Sequence, residues 1–396
     1  MQKLIVQGGA KLRGELDLQG SKNSALPIMA AAYLCRGECI LHNCPKLTDI
    51  YAASRILNYI GCKCSFADNT AVITSAQSGH TAIPEELMQE MRSSIIFLGA
   101  LLGKNKTGTV SYPGGCELGS RPIDMHLSSF RKMGVDIKEK FGRITCSVRK
   151  NIHGAKISLP FPSVGATENI MLCAVLADGE TVINNAAREP EIKDLADFLR
   201  CCGAKIKGDG ESSIVIEGVK ELHGCEYTVM SDRIAGATYL AAAAAAGGEI
   251  IIHKACVGCM EPFISLLDQT GCSIYTIDDG IYLRSGLRLK AVRDCIRTMP
   301  HPGFPTDAQA PVMAMAALAE GTSVFVETIF ESRYKHVCEL TRLGAKIKVE
   351  GRVAIIEGVP KFYGTSVCAA ELRGAAALVV AGLAAEGKTS VYGLNY

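Results

Sequence analysis

The sequence of 396 residues contains no tryptophan, and aromatic residues make up only 6% of it. The interior must therefore be built largely from aliphatic side chains and alanine, in a chain long enough for two or three domains. The formal net charge is only +2, so no overall field favours nucleic acid or an acidic membrane surface as a partner. An anionic ligand would have to be bound by a local cluster of cations.

Long apolar runs are also absent. The longest, residues 237–246 and 375–385, fall well short of the roughly 20 residues that cross a bilayer, and a Gly-Gly pair interrupts the N-terminus before it could form a signal peptide. We therefore expect a cytoplasmic protein without membrane insertion, whose 17 cysteines are reduced. The Cys-x-x-Cys from Cys256 to Cys259 has no second pair and no nearby histidine at zinc-binding spacing, which disfavours a metal or redox role there.

Two sequence phrases alternate along the chain. In the first, a helix ends at a glycine and a short strand follows, which is typical of a helix C-cap. The five glycines lie 68 to 73 residues apart and are Gly61, Gly134, Gly203, Gly271 and Gly344. In the second phrase, a helix that is apolar nearly all round leads into a strand, and such a helix is expected to be buried. The six helices predicted in this way cover residues 25–35, 95–102, 169–176, 234–246, 310–318 and 375–385.

This alternation predicts an α/β protein made of compact units, each a buried helix covered by sheet. The second phrase occurs six times and the first phrase five times. A sixth glycine would be expected about 70 residues after Gly344, beyond Tyr396. Either the protein lacks the last half-repeat or the sequence stops before it.

The loop of residues 113–126 combines glycine and proline with a thiol and a guanidinium. It reads PGGCELGSRPIDMH, so neither a helix nor a strand can run through its first half. A thiol in such a loop, Cys116, can have its reactivity tuned by nearby positive charge, and Arg121 can bind an anion through two hydrogen bonds. The alternative is that Cys116 is one small core residue among 17 cysteines.

The starts of the six predicted buried helices carry polar residues. A helix N-terminus binds anions through its free N–H groups and partial positive charge. Four of the six also bring a cation, namely Lys22, Arg92, Arg233 and Arg373. If the units are arranged with pseudo-symmetry, these ends converge and predict a highly anionic substrate such as a phosphate or pyrophosphate. Each cation could instead be a solvated loop residue, and because cations are unfavourable at a helix N-terminus, each should have a compensating partner.

Asp307 is the acid among these cations. It follows Phe304-Pro305-Thr306 at the start of a predicted buried helix. Nearby cations favour its charged form, so it is a candidate general base. The alternative is that Thr306 or Asp307 is simply the N-cap of the helix.

Six segments, in order along the chain, resemble the UDP-N-acetylglucosamine enolpyruvyl transferases (1-carboxyvinyltransferases) of the EPSP synthase superfamily. They are residues 20–24, 113–122, 163–167, 185–191, 304–307 and 331–333. The resemblance implies an inside-out α/β barrel fold of two similar domains, built from six βαβαββ pseudo-repeats. Residues 21–229 would form one domain and residues 1–20 plus 230–396 the other, with the active site in the cleft between them.

The reaction that the resemblance implies is transfer of the enolpyruvyl group of phosphoenolpyruvate to the 3-hydroxyl of UDP-N-acetylglucosamine, with release of phosphate and without a metal or other cofactor. Cys116 then resembles the proton donor that the epoxide fosfomycin alkylates, and Asp307 and Asn23 would contact the reacting sugar. Lys22, Arg121 and Arg373 resemble the groups around phosphoenolpyruvate. The remaining implied substrate contacts are Arg92, Pro122, Ile123, Asp124, Met125, Phe161, Pro162, Ser163, Val164, Ile329 and Arg333.

One departure and two alternatives accompany this resemblance. The family continues into an Ile-Asp-Arg-Gly segment, whose arginine helps to bind phosphoenolpyruvate, and a last helix, whereas this sequence ends at Tyr396. A catalytically silent paralogue is therefore one alternative. The other is the sister enzyme 3-phosphoshikimate 1-carboxyvinyltransferase, which the cysteine loop and the Phe-Pro-Thr-Asp turn disfavour.

Overall fold

The computed structural model describes residues 3–75, 79–114, 123–286 and 288–394. These residues fall into two compact units. The central unit comprises residues 19–75, 79–114 and 123–230, and the terminal unit comprises residues 3–18, 231–286 and 288–394. Each unit has its own hydrophobic core, which is rich in alanine, leucine and isoleucine, as the shortage of aromatic residues requires.

The described residues contain twelve α-helices, numbered in chain order. They are α1 (Lys22–Ala32), α2 (Thr48–Tyr59), α3 (Glu85–Gln89), α4 (Ile96–Asn105), α5 (Asp124–Lys132), α6 (Val164–Ala174), α7 (Pro190–Cys201), α8 (Arg233–Ala246), α9 (Glu261–Gln269), α10 (Thr306–Ala316), α11 (Val337–Arg342) and α12 (Leu372–Ala384). Short 3₁₀ helices cover Arg92–Ile95, Val257–Cys259 and Arg333–His336. The six predicted buried helices are confirmed as α1, α4 and α6 in the central unit and α8, α10 and α12 in the terminal unit.

The strands of the described residues are short, with two to five residues each. They are β1 (Leu4–Gln7), β2 (Arg13–Asp17), β3 (Cys35–Arg36), β4 (Glu38–His42), β5 (Lys63–Ala67), β6 (Thr70–Thr74), β7 (Thr107–Ser111), β8 (Asp136–Lys140), β9 (Arg143–Ser147), β10 (Lys156–Ser158), β11 (Glu180–Asn184), β12 (Lys205–Lys207), β13 (Ser213–Glu217), β14 (Leu222–His223), β15 (Glu226–Thr228), β16 (Glu249–His253), β17 (Ser273–Ile277), β18 (Gly280–Arg284), β19 (Ile296–Arg297), β20 (Thr322–Val326), β21 (Lys346–Glu350), β22 (Val353–Glu357), β23 (Phe362–Tyr363), β24 (Ser366–Cys368), β25 (Ala385–Glu386) and β26 (Lys388–Tyr392).

Four of the sheets share one strand order, which reflects the repeat. A parallel edge strand pairs with a central strand, and two antiparallel strands follow: β15-β4-β6-β5, β10-β11-β13-β12, β2-β16-β18-β17 and β19-β20-β22-β21. A three-stranded sheet, β7-β9-β8, completes the central unit, and the pairs β14-β3 and β23-β25 stand apart. In the last sheet, β26 pairs in parallel with β24 and antiparallel with β1, with Leu4 opposite Val391. The N-terminal strand β1 thus takes the antiparallel place in the sheet of the sixth repeat.

The predicted glycine C-caps are confirmed by the backbone. Gly61, Gly134, Gly203, Gly271 and Gly344 have φ angles of 101°, 88°, 98°, 86° and 107°. Each follows a helix (α2, α5, α7, α9 or α11) and precedes an edge strand of a sheet. Side chains with a Cβ disfavour this left-handed region, so the glycines fix where each helix ends and the next strand starts.

Two glycines on α4 set the helix packing of the central unit. A Cβ added to Gly99 would lie 2.3 Å from the backbone oxygen of Asn169, and one added to Gly103 would lie 2.7 Å from the backbone oxygen of Leu172. The absence of side chains on one face of α4 therefore lets α6 pack directly against it. In the terminal unit, α8, α10 and α12 all pack on one another. Among the described residues, no helix combines the length and apolar composition needed to cross a bilayer.

The expectation that all cysteines are reduced is wrong at one place. Cys256 and Cys259 form a disulfide, because the 3₁₀ turn Val257–Cys259 brings the two sulfurs of the Cys-x-x-Cys together. The other cysteines among the described residues are free.

Candidate active site

Three of the predicted site residues, Cys116, Arg121 and Pro122, lie outside the described residues. The remaining ones divide between the units. Asp307, Ile329, Arg333 and Arg373 belong to the terminal unit. The others belong to the central unit: Lys22, Asn23, Arg92, Ile123, Asp124, Met125, Phe161, Pro162, Ser163 and Val164.

Asp307 lies in the first turn of α10 and holds two arginines. Its Oδ1 accepts a hydrogen bond from Nη2 of Arg333, and its Oδ2 accepts one from Nη2 of Arg373, both at 2.9 Å. The N-cap of α10 is Pro305, so the alternative that Thr306 or Asp307 is the N-cap of this helix is wrong. The carboxylate is 28% exposed. It is therefore accessible, and both of its oxygens are oriented by charge-assisted hydrogen bonds from guanidinium groups.

Arg333 is almost completely buried. Its side chain is 1% exposed, and besides Asp307 it donates to the backbone oxygen of Thr306 at 3.1 Å. Nη1 also lies 3.9 Å from Oε2 of Glu371. The guanidinium therefore connects the start of α10 with the start of α12 and leaves little surface for a ligand. Its geometry is that of a group that positions Asp307.

Arg373 is the second residue of α12 and lies beside two further carboxylates. Glu371 is the N-cap of this helix and accepts a hydrogen bond from the backbone N–H of Arg373 at 2.8 Å. Burial opposes the charge of the Arg373 guanidinium, but the carboxylates of Asp307 and Asp232 outweigh it and raise its pKa. Asp232 is itself the N-cap of α8. The starts of all three buried helices of the terminal unit are thus linked electrostatically, and the expected compensation of a cation at a helix N-terminus is confirmed for Arg373.

Glu327 is a site residue that sequence reasoning missed. It is 1% exposed and follows directly after β20. One carboxylate oxygen accepts from the Thr306 hydroxyl at 3.0 Å, and the other accepts from the backbone N–H of Ile329 at 2.8 Å and of Phe330 at 3.1 Å. This carboxylate fixes the predicted contact Ile329 to the turn that carries Asp307. The sequence feature that could have identified Glu327 is an acidic residue directly after an apolar strand.

In the central unit, Lys22 is the first residue of α1 and also has its expected compensation. Its Nζ lies 2.7 Å from Oδ2 of Asp49, with the two side chains 20% and 25% exposed. Asn23, the next residue, is half-buried. A compensated but accessible ammonium at a helix N-terminus is suited to binding a phosphate or carboxylate.

A buried carboxylate anchors the start of α1. Asp194 accepts hydrogen bonds from the hydroxyl of Ser24, from the hydroxyl of Tyr227 at 2.6 Å and from the backbone N–H of Met230 at 3.2 Å. The backbone of Ser21 also donates to the carbonyl of Met230 at 2.7 Å. Burial raises the pKa of Asp194. Like Asp49, this residue was not predicted, because its role arises only from contacts across the fold.

The structure brings two predicted substrate-binding segments together. His126, in the first turn of α5, lies with Nδ1 2.8 Å from Nδ2 of Asn169 on α6. A Cβ on Gly165 would contact the same imidazole at 3.4 Å. Residues 123–125 and 161–164 immediately precede these contact points, so they are neighbours. Of these residues, Ile123 is buried, Asp124 and Phe161 are exposed and the rest are half-buried.

Asn169 also joins α6 to α4. Its amide donates to the carbonyl of Ile95 at 2.9 Å, and its oxygen accepts from the backbone N–H of Gly99 at 2.7 Å. Ser163 caps α6 by accepting from the backbone N–H of Ala166. The predicted contact Arg92 is half-buried and begins the 3₁₀ helix that leads into α4.

Comparison with known proteins agrees with this architecture. Residues 6–395 match the EPSP synthase (3-phosphoshikimate 1-carboxyvinyltransferase) family. The chain is 51% identical to UDP-N-acetylglucosamine 1-carboxyvinyltransferase 2 of Caldanaerobacter subterraneus subsp. tengcongensis, covering 100% of this chain and 94% of that protein. It is 46% identical to UDP-N-acetylglucosamine 1-carboxyvinyltransferase 1 of Carboxydothermus hydrogenoformans, covering 100% of this chain and 93% of that protein.

Solved structures give the same fold at low sequence identity. The enolpyruvyl transferase NikO from Streptomyces tendae superimposes with a TM-score of 0.89 at 23% identity, over 98% of this chain and 92% of NikO. EPSP synthase from Acinetobacter baumannii gives 0.76 at 19% identity, over 99% of this chain and 94% of that one. The expected fold family is thereby confirmed. The chain belongs to the EPSP synthase family and, within it, to the UDP-N-acetylglucosamine 1-carboxyvinyltransferases.

Proposed function

We propose that this chain transfers the enolpyruvyl group of phosphoenolpyruvate to the 3-hydroxyl of UDP-N-acetylglucosamine and releases phosphate. This reaction is the first committed step of peptidoglycan synthesis and takes place in the cytoplasm. The observation that carries the proposal is Asp307, an accessible carboxylate held by Arg333 and Arg373 at 2.9 Å each. An acceptor hydroxyl requires such a base, and two anionic substrates require the cations that surround it.

The roles follow from the chemistry of addition and elimination. Asp307 accepts the proton of the sugar 3-hydroxyl while the oxygen of that hydroxyl bonds to C2 of phosphoenolpyruvate. Cys116 donates a proton to the methylene carbon C3, which gives a tetrahedral ketal. Loss of a proton from C3 and of phosphate from C2 then restores the double bond and yields the enol ether. Each step needs one acid and one base, and no electron acceptor.

The cations divide the anionic groups of the substrates between them. Lys22, Arg121 and Arg373 bind the phosphate and carboxylate of phosphoenolpyruvate. Arg373 is already oriented by Asp307, and Lys22 is already oriented by Asp49, so neither has to be ordered when the substrate arrives. Arg333 acts through Asp307 and is a positioning residue.

The sugar nucleotide is bound by the central unit. Arg92 and Asn23 contact the sugar nucleotide, and residues 121–125 and 161–164 hold the uridine diphosphate. The adjacency of residues 123–125 and 161–164 through His126 supports this assignment. In the terminal unit, Ile329 contributes through the loop that Glu327 fixes.

A single assay separates this function from its alternatives. Phosphate release is measured with phosphoenolpyruvate and UDP-N-acetylglucosamine, and separately with phosphoenolpyruvate and shikimate 3-phosphate. The proposal predicts turnover with the sugar nucleotide alone. Turnover with shikimate 3-phosphate would assign the sister reaction, and no turnover with either would assign a silent paralogue.

The role of Cys116 has its own test. Cys116→Ala should lose turnover while keeping the wild-type melting temperature. Fosfomycin should inactivate the wild-type enzyme, with the adduct on Cys116 by peptide mass spectrometry. An adduct on another cysteine, with full activity of Cys116→Ala, would contradict the role of this thiol.

A further inference from the structure

Four cysteines gather in the central unit, away from the residues that the proposed reaction uses. Cys35, Cys39 and Cys202 are 1%, 0% and 0% exposed, and their three sulfurs lie within 4.8 Å of one another. The sulfur of Cys225 lies 3.4 Å from that of Cys202. Cys35 follows the C-terminal end of α1, whereas Lys22 begins it, so the length of α1, about 16 Å, separates the thiols from that cation.

The sulfur spacing fits a closed thiolate site. Zinc–sulfur bonds of about 2.3 Å place the sulfurs about 3.8 Å apart in a tetrahedron and about 4.0 Å apart in a trigonal plane. The sulfurs of Cys35, Cys39 and Cys202 lie within 4.8 Å of one another, close to these spacings. Cys225 lies outside that group but 3.4 Å from Cys202, so its side chain must turn towards Cys35 and Cys39 to complete a four-sulfur site. We propose that Cys35, Cys39, Cys202 and Cys225 bind one thiophilic divalent ion of the zinc type, as a structural site.

Backbone hydrogen bonds hold the four positions together before any ion arrives. β14 pairs in parallel with β3, with Leu222 opposite Cys35. The backbone N–H of His223 donates to the carbonyl of Cys202 at 3.0 Å, and that of Ile40 donates to the carbonyl of Cys225 at 2.9 Å. The ligands therefore come from segments that are already ordered, which reduces the entropic cost of binding.

The abundance of cysteine does not by itself produce such a group. Other fully buried cysteines, such as Cys146 and Cys173, belong to no group of three or more metal-binding side chains among the described residues. Among the residues that the structure describes, the Cys35, Cys39 and Cys202 cluster is the group in which three or more metal-binding side chains converge.

Charge and proton balance are compatible with binding. Four neutral thiols release four protons as they bind a divalent ion, which leaves a site with a net charge of −2. A compensating cation lies nearby, since the ammonium of Lys104 donates to the carbonyl of Tyr33 at 2.8 Å and interacts electrostatically with Cys35. The weak bond from Cys35 to the carbonyl of Ala31, at 3.7 Å, would be given up.

The site also has a route of entry. Cys225 is half-buried, and Cys201, next to Cys202, is exposed. The competing fate of this arrangement is a disulfide between Cys202 and Cys225. That outcome excludes four-thiolate binding and is read out in the same experiment.

The experiment uses the full chain, reduced and freed of metal, with Cd²⁺ as the probe. We expect one Cd²⁺ per chain to remain after gel filtration in the presence of a chelating competitor, with the ultraviolet thiolate-to-cadmium absorption of four thiolates. Cys39→Ala and Cys202→Ala should each weaken binding roughly 10-fold or more. The matched control Cys146→Ala, and the double control Cys256→Ala with Cys259→Ala, should bind as the wild type does.

A second readout covers variants that fail to fold. On the wild type, bound Cd²⁺ should raise the melting temperature by about 5 °C and protect Cys225 from alkylation by iodoacetamide. The proposal is overturned if no Cd²⁺ is retained, if retention depends on Cys256 and Cys259, if Cys225 is alkylated equally with and without Cd²⁺, or if the protein before reduction contains a Cys202–Cys225 disulfide.

Discussion

The two units repeat one architecture but treat the N-termini of their buried helices differently. In the terminal unit every one of these helices has a carboxylate at its start: Asp232 caps α8, Asp307 lies in the first turn of α10, and Glu371 caps α12. In the central unit, α1, α4 and α6 have no acid in the first turn, and the cap of α6 is the hydroxyl of Ser163.

This difference between the helix N-termini corresponds to the different roles proposed for the two units. A carboxylate at a helix N-terminus neutralises the partial positive charge of the helix, and in the terminal unit Asp307 also accepts hydrogen bonds from the buried Arg333 and the half-buried Arg373. In the central unit the buried helices begin without an acid of their own, and the carboxylates near the start of α1, Asp49 and Asp194, come from α2 and α7. In the proposed reaction, Asp307 of the terminal unit is the base and Lys22 of the central unit binds an anionic group of phosphoenolpyruvate.

The largest effect on stability is expected from Arg333→Met. The guanidinium is 1% exposed, bonds to Asp307 and lies 3.9 Å from an oxygen of the buried Glu371, so its loss removes this cation from Glu371 and leaves Asp307 with Arg373 alone. The free energy of unfolding of the terminal unit should fall by about 3 kcal/mol, as measured by urea denaturation. Arg333→Lys should give an intermediate loss, because it restores charge without the two-pronged geometry. Wild-type stability of Arg333→Met would contradict the buried ion network.

Gly99→Ala should break the helix packing that is specific to the central unit. The added methyl would lie 2.3 Å from the backbone of Asn169, so α4 and α6 must separate. We expect a loss of about 2 kcal/mol in the free energy of unfolding. Gly258→Ala is the control, because its Cβ would meet no atom within 4 Å. Equal stabilities of the two variants would refute the close helix contact.

His336 should make the terminal unit sensitive to acid. Burial, and then the positive charge of Arg333, lower the pKa of His336 to about 3, from about 6.5 in the unfolded chain. As pH falls below 6.5 the unfolded state binds the proton first, so stability that is fully present above that pH is lost progressively towards pH 3, by up to about 1.4 kcal/mol per pH unit. His336→Gln should remove this part of the pH dependence of the melting temperature, whereas the exposed His153→Gln should not. Parallel plots of melting temperature against pH for His336→Gln and the wild type would contradict this role of His336.

Lys22→Met should have the smallest effect on stability and so completes the contrast. Its ion pair with Asp49 is partly exposed, and such pairs contribute about 1 kcal/mol or less. The expected defect is instead a raised KM for phosphoenolpyruvate, measured by steady-state phosphate release. A loss of stability as large as that of Arg333→Met would mean that the two units do not differ in the way proposed.

The fold was predictable from the sequence to the extent that it is encoded locally. Five glycines with φ near +90° and six all-apolar helices determine the repeat through short-range sequence, and both patterns were visible. The start of α4 was less predictable, since Arg92 begins a 3₁₀ helix that precedes α4 and not the α-helix itself.

The site was predictable only in part, because its geometry depends on distant contacts. Asp307 was identifiable as an acid among cations. Glu327, by contrast, contacts the turn that carries Asp307 through the hydroxyl of Thr306, which is 21 residues away in the sequence, and Ser24 donates a hydrogen bond to Asp194, which is 170 residues away. The burial of Arg333 likewise arises from tertiary packing. The roles of Cys116, Arg121 and Pro122 stay predictions from the sequence.

The most direct test of the account is the turnover of Asp307→Asn. Asparagine keeps the size of the side chain and one hydrogen-bond acceptor but has no basicity. We predict that kcat falls by roughly 10²-fold or more. The matched control is Asp209→Asn, which removes a carboxylate from another arginine, Arg200, in the central unit and should leave kcat unchanged. A near-normal kcat for Asp307→Asn would contradict the claim that this carboxylate, held by two guanidinium groups, activates the acceptor hydroxyl.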